Sequence, residues 1–267
     1  MADSNFVLSL PTMLNCYDVI ESADNADPLL YGYGSLLNGP KYTIYKTSVS
    51  STTHEIVFDF GEVGYSADHV ILGRADLFSN ADSLELLYSD DGLVYESAVD
   101  MTISSANFYG RFNQDQWTTF DTVSSKRFWK AKYTASPSSY FIHSKLFFGE
   151  LFDFGDEPHE FNSKTIDDNK IFIADDGSRH LRKSADIKSE YSITFKGVTD
   201  AILSSFITKI GNRINEDAFG LCAYLLTQTD HQLLNDYRIL YVNVVSFEWI
   251  KLFNDYNLVQ LTCLELS

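Results

Sequence analysis

Cysteine is scarce: Cys16, Cys222 and Cys263 are the only three in 267 residues, an odd number with no Cys-x-x-Cys spacing. That excludes a disulfide framework and a zinc knuckle as the basis of the fold, and it suits a reducing site of synthesis. Cys222 and Cys263 stand in apolar, strand-like runs, where small buried hydrophobes are expected. No run approaches the roughly 20 apolar residues that a membrane-spanning helix needs. The opening Met1-Ala-Asp-Ser4 has no basic stretch, and Pro11 breaks the apolar run Phe6–Leu10, so a signal peptide is not expected. Asn-x-Ser/Thr sequons are absent as well. Positive charge is the other shortage. The 20 Lys and Arg face 37 Asp and Glu, a formal net charge of −17. Residues 1–155 hold 20 acids and 9 bases, residues 156–267 hold 17 and 11. Neither half can neutralise a phosphate backbone or an anionic bilayer, so no nucleic acid and no membrane insertion are expected.

What is plentiful is the aromatic ring: 20 Phe and 16 Tyr help bring the aromatic fraction to 15%. Flat rings pack well on pleated surfaces, which tilts the chain towards β structure. The length suggests two domains. Up to about residue 53, Asp27-Pro28, Gly32, Gly34 and Asn38-Gly39-Pro40 read as loops around short strands. His54-Glu-Ile-Val-Phe-Asp-Phe60 then alternates polar and apolar residues and stops at Gly61, as a half-buried strand does. His69–Leu72 reads as the next strand. Ser83–Ser89 runs through Asp90-Asp91-Gly92 into Leu93-Val-Tyr95, a hairpin pattern. Trp117–Phe120, Arg127–Tyr133, a loop at Ser136–Ser139 and a strand over Tyr140–Phe148 continue the series, which predicts an antiparallel sandwich.

Near Phe154–Pro158 the texture changes, and a domain boundary is placed at 155/156. Beyond it, Lys170–Ala174 and Tyr191–Phe195 read as strands, the latter closed by Gly197. One amphipathic helix follows, with Thr199 as N-cap and Ile202, Leu203, Phe206, Ile207 and Ile210 on one face, ending at Gly211. Phe219–Leu226, Tyr237–Val244, Ser246–Phe253 and Asn257–Leu266 are further strands, with a turn at Asn254-Asp255. The second half therefore reads as a β-sandwich with a single packed helix.

Catalytic signatures are missing. Asp59-Phe-Gly61 and Asp153-Phe-Gly155 spell a kinase magnesium tripeptide, but nothing else of a kinase accompanies them. Gly32-Tyr-Gly34 lacks a phosphate-loop context. His54, His69, His143, His159, His180 and His231 show no ligand spacing, and the Asp167–Asn169 and Asp175-Asp176 groups miss the calcium-loop pattern. With 37 acids, carboxylate pairs carry no glycosidase signal, and there is no Gly-x-Ser-x-Gly elbow. No catalytic residue, metal or cofactor is assigned, and an enzyme is not expected. Two clusters remain. Phe108, Tyr109, Phe112 and Trp117 could stack on a sugar, against the plainer reading of core aromatics. Arg179, Arg182 and Lys183 form the densest basic patch and could meet an acidic neighbour in an assembly, against a solvated loop.

Five pieces between His54 and Glu150 carry a resemblance, in order: Ile56-Val-Phe-Asp-Phe-Gly61, Asp68-His-Val-Ile-Leu-Gly-Arg74, Leu86-Leu-Tyr-Ser-Asp-Asp-Gly92 with Tyr95, Lys126-Arg-Phe-Trp-Lys-Ala-Lys-Tyr133, and Leu146-Phe-Phe-Gly-Glu150. Together they resemble the discoidin, or coagulation-factor C, domains of the galactose-binding-like superfold. That implies a jelly roll over residues 1–155 whose loops at one end meet ligands. Phe147–Pro158, Asp176-Gly177, Arg179, Tyr191–Phe195 and the helix are similar to virion structural proteins of long-tailed phages, and the element order of residues 191–266 to the tail-tube or belt domain of distal tail proteins. This implies a tail-tip or baseplate subunit in the virion, assembled in a bacterial cytoplasm. It would form a ring with copies of itself, hexameric as in that family, and contact tail tube, tail hub and tape measure. The alternative is a carbohydrate-binding module for host-surface glycans.

Overall fold

The computed structural model describes residues 6–9, 18–21, 45–47, 50–73, 81–104, 115–155, 158–166, 170–173, 179–182, 188–211, 221–227 and 239–265. In chain order the strands are β1 (Phe6–Ser9), β2 (Asp18–Glu21), β3 (Tyr45–Lys46), β4 (Ser51–Asp59), β5 (Tyr65–Gly73), β6 (Ala81–Ser89), β7 (Glu96–Thr102), β8 (Gln116–Lys126), β9 (Phe128–Ser139), β10 (Ile142–His143), β11 (Lys145–Gly149) and β12 (Phe152–Asp153). They continue with β13 (Glu160–Ile166), β14 (Lys170–Ile173), β15 (Arg179–Arg182), β16 (Lys188–Thr199), β17 (Leu221–Thr227), β18 (Ile239–Phe253) and β19 (Tyr256–Glu265). Helix α1 (Asp200–Phe206) follows β16 and runs into a wider turn of π type, Ile207–Gly211. The chain divides into two compact units. One holds Val7–Asp153 and Cys222–Leu240, the other Met1–Phe6, Phe154–Leu221 and Tyr241–Ser267.

The first unit is a sandwich. Its larger sheet has the order β2-β4-β9-β6-β7 and its smaller one β11-β5-β8, with antiparallel neighbours throughout. The period-two pattern of β4 explains the layering. His54, Ile56 and Phe58 are buried, while Glu55, Val57 and Asp59 on the other face are only half so. From the smaller sheet Val70, Leu72, Leu146 and Phe148 meet Ile56, Phe58, Leu84, Leu86, Trp129 and Ala131 in one core. Trp129 is wholly buried, and its indole N–H donates to the Tyr65 carbonyl at 3.1 Å, so the ring enters the core without an unsatisfied donor. The outer face of the larger sheet carries ion pairs, Lys130 with Glu55 and Lys132 with Glu85, where water covers the pleat.

Two details depart from the sequence reading. Leu93–Tyr95 belong to the turn of the hairpin, and its second strand begins only at Glu96. Asp91 explains this: its Oδ1 accepts the Leu93 and Val94 amides at 2.8 and 3.1 Å and thereby extends the turn. Ser136–Ser139, expected as a loop, is the end of β9, and Ser139 pairs with Ser51. Gly61 and Gly92 do mark turns, and so does Gly64, where the reason is space as well as φ: a Cβ there would lie 2.6 Å from the Ser125 carbonyl.

In the second unit four strands lie in the order β18-β19-β16-β13, and β14 and β15 form a separate hairpin. Gly197 does not close a strand. It sits at φ +83° where the register slips between Lys196 and Val198, so β16 bulges and continues to Thr199. Val244 and Ser246 likewise flank a bulge inside the single strand β18, which the sequence split in two. Thr199 caps α1 as expected, its Oγ1 accepting the Ile202 amide. Leu203 and Phe206 bury the helix face, and Phe206 meets Phe154 and Phe247, with Phe154 stacked on Phe195 at 4.2 Å. Cys263 is buried in β19, and burial pushes its thiol up to about 12. The second-half expectations at Asp167–Asn169, Asp175-Asp176 and Lys183 lie outside the described residues.

Candidate functional site at one rim of the sandwich

Antiparallel pairing gives the sandwich two rims. At one, which we call the hairpin rim, β4 ends beside the start of β9, the Phe60 amide donates to the Arg127 carbonyl, and the turns 61–64, 90–95 and 125–127 gather. At the other, the loop rim, β5 ends at Gly73, β8 starts at Gln116, β11 starts at Lys145 and β9 ends at Ser139.

The hairpin rim holds a cleft of about 220 Å³ between Tyr88, Asp90, Asp91, Glu96 and Lys126. Its polar groups are engaged with one another. Lys126 pairs with Asp90 at 2.8 Å and sits over the Tyr88 ring, and the Tyr88 hydroxyl donates to Glu96 at 2.8 Å. Hydrogen bonding to Glu96 raises the Tyr88 phenol, and the two backbone amides hold the Asp91 carboxyl low. The cleft is a stitched hairpin with a net acidic lining.

The loop rim is built differently: buried polar side chains brace the bases of its loops. Gln116 donates from Nε2 to the Thr102 carbonyl at 2.6 Å, and its Oε1 accepts the Ser104 amide at 3.2 Å. This clamps the loop that leaves β7 to the strand that follows it. Thr47 Oγ1 accepts the Phe141 amide at 3.1 Å, and the Phe141 carbonyl accepts the Thr47 amide, locking residues 94 apart. Ser144 donates its amide to the Gly73 carbonyl, Lys145 opposes Gly73 in register, and Asp115 directly precedes Gln116. Ser144, Lys145 and Asp115 are all buried. Charged groups under a loop edge are costly unless the surrounding structure satisfies them, and Asp115 and Lys145, in this polar platform, both have partners. Tyr140 stands on it with half its surface in water, and the Lys46 ammonium lies 5.3 Å from the ring centre.

Below the platform His54 is stacked among Tyr45, Tyr133 and Phe141, and the Tyr45 hydroxyl and His54 Nε2 share a hydrogen bond. Burial lowers the imidazole from 6.5 to about 4, opposed by Glu55, so His54 is neutral at physiological pH. Burial also raises Tyr133 well above the phenol range. Among the described residues no three His, Cys, Asp or Glu side chains are grouped to hold a metal ion, and no helix is long and apolar enough to cross a membrane.

Of the residues singled out in the sequence, Phe108, Tyr109, Phe112 and Lys183 lie outside the described residues. Trp117 is half-buried inside β8, directly opposite Ile71, hence on the face of the smaller sheet turned away from Val70 and Leu72. Arg179 and Arg182 are the terminal residues of β15, paired with Ile173 and Lys170. Tyr140, Lys46, Asp115 and Lys145 were not singled out. Only the charge at the head of the apolar run Lys145–Phe148 signals anything in sequence.

No family model matches the chain, and no curated protein matches it either. Among solved structures it is similar to a GH29 fucosidase of Ruminococcus gnavus in complex with fucose, at 14% identity and a TM-score of 0.44 over 56% of this chain and 28% of the fucosidase. It is also similar to the F5/8 type C domain of a Bacteroides fragilis protein, at 14% identity and a TM-score of 0.42, covering 53% of this chain and 95% of that one. A CBM32 module from Clostridium perfringens, in complex with GalNAc-β-1,3-galactose, matches at 14% identity and a TM-score of 0.41 over 53% and 99% of the two chains. The chain thus spans 28% of the length of the fucosidase it matches. The protein is mainly β, and its first unit is an antiparallel β-sandwich.

Proposed function

We propose that the first unit is a carbohydrate-binding module whose site is the loop rim. The observation that carries this reading is the occurrence on one rim of the sandwich of a half-exposed aromatic ring, Tyr140, and the buried polar side chains Thr47, Asp115, Gln116, Ser144 and Lys145. Sugars present C–H faces that pack on rings and hydroxyls that need oriented donors and acceptors, and loops on a stiff scaffold supply both. The charge of −17 narrows the ligand to neutral or amino sugars, since an anionic polysaccharide would be repelled. A glycan array with the full chain tests this. Tyr140→Ala should weaken binding to the preferred neutral glycan at least tenfold with an unchanged melting temperature. Silence across neutral and amino-sugar polysaccharides would overturn the proposal.

A second reading, a structural subunit of a phage tail tip, draws support from one feature: the second unit presents a braced β-hairpin whose apolar residues face water. Immunogold labelling of virions with an antibody to this chain tests it, with label at the tail tip expected and none anywhere on the particle refuting it.

A further inference from the structure

Every residue from Glu248 to Tyr256 is exposed, although seven of these nine positions lie in strands. The apolar ones are Trp249 (48% exposed), Ile250 (64%), Leu252 (44%), Phe253 (63%) and Tyr256 (42%), with Val245 (43%) beside them. An aromatic side chain can bury roughly 150–250 Å², so the three rings alone leave on the order of 300 Å² in water. The aliphatic residues bring the patch to the upper end of the roughly 300–600 Å² that monomers expose.

The exposure is held in place. The Asp200 amide donates to the Asp255 carbonyl at 2.9 Å, and Lys251 forms an ion pair with Asp200. Asn257, wholly buried, donates from Nδ2 to the Val198 carbonyl at 3.1 Å and to Asp200 Oδ1 at 2.7 Å. The root of the hairpin is therefore pinned to the start of α1, and its apolar residues cannot fold back to cover themselves. A preorganised apolar surface forgoes the ordering cost of association.

We propose that this hairpin is an interface between two copies of the chain, related by a twofold axis. The area is the argument for the occupant. The apolar patch together with the exposed polar residues Glu248, Lys251, Asn254 and Asp255 approaches the roughly 800 Å² per partner of a standard stable interface. One self-complementary patch also suffices for a twofold contact. The inference stands independently of glycan binding.

Light scattering on the eluting full chain should give about 61 kDa, twice 30.3 kDa, at micromolar concentration. The exposed-site variants Ile250→Lys and Phe253→Lys should return the mass to that of one chain, with circular dichroism and melting temperature unchanged. Leu93→Lys, at an exposed apolar position of the first unit, should leave the dimer intact. A monomeric wild type at 100 micromolar overturns the proposal, as does an oligomer that survives both hairpin variants. A mass above two chains overturns the twofold form. Co-sedimentation of a monomeric wild type with phosphatidylcholine vesicles, lost in Phe253→Lys, would assign the hairpin to lipid instead.

Discussion

Acidification from pH 7 to pH 5 is expected to weaken the first unit by about 2 kcal/mol through His54 alone. The imidazole is 1% exposed, lies among the rings of Tyr45, Tyr133 and Phe141, and titrates at about 4 in the fold against 6.5 in the free side chain. Between those values the unfolded chain takes up a proton that the folded chain refuses. Stability is therefore whole above pH 6.5 and drains as pH falls towards 4, with a slope of about 1.2 kcal/mol per pH unit near pH 5 and a ceiling of about 3 kcal/mol. The carboxyls held low, Asp59 by Arg127 and Asp91 by backbone amides, weaken the fold only as pH falls below their ordinary 3.8, outside this window. Urea unfolding followed by the fluorescence of buried Trp129, at half-unit steps from pH 7 to 5, measures the slope. His54→Gln keeps a hydrogen-bonding partner for Tyr45 and removes the titration. Its stability should be lower at pH 7 yet nearly flat in pH, so that the difference between the two proteins shrinks on acidification. Equal slopes in wild type and variant, or a proton NMR midpoint for His54 near 6.5, would refute the reasoning.

Other perturbations have equally definite outcomes. Gly64→Ala places a Cβ 2.6 Å from the Ser125 carbonyl at φ +70°; left-handed backbone and crowding together should cost at least about 2 kcal/mol, seen as a melting temperature lower by about 4–8 °C. Phe206→Ala empties the space between Phe154 and Phe247 and should cost about 3–5 kcal/mol in denaturant unfolding of the second unit. Cys263, with its thiol pushed up to about 12, should resist alkylation at pH 8 in the folded chain and react once urea is added, read by peptide mass mapping.

The sandwich was legible because its signals are local. The alternation of His54–Asp59 names the buried face without any tertiary information, and the Asp90-Asp91-Gly92 turn announces its hairpin. Misreadings arose where a small or polar residue serves inside a strand. Gly197 looks like a terminator and Ser246 like the start of a new strand, yet each flanks or forms a bulge that the neighbouring strand β19 holds in register. Ser136–Ser139 resembles a loop, but pairing of Ser139 with Ser51 draws it into the sheet. The loop rim was hidden for a further reason. Tyr140 and Lys46 are 94 residues apart, and Thr47 and Phe141 likewise, so only pairing across the whole sandwich brings them together. Lys145 and Gln116 are placed on either side of β5 by two separate registers, and the charge heading the apolar run Lys145–Phe148 is the one sequence signal at either position.

Strand order in the second unit bears on how it is made. β19 lies between β18 and β16, so a strand in the interior of that sheet is synthesised after both of its neighbours. Its partner β16, emerging some seventy residues earlier as Tyr191 awaits Cys263, must wait with an open edge. Contacts so distant along the chain form slowly. A chain cut after Asn254 would keep β16 and β18 but lose the strand between them, leaving two unpaired edges of the kind that nucleate aggregation.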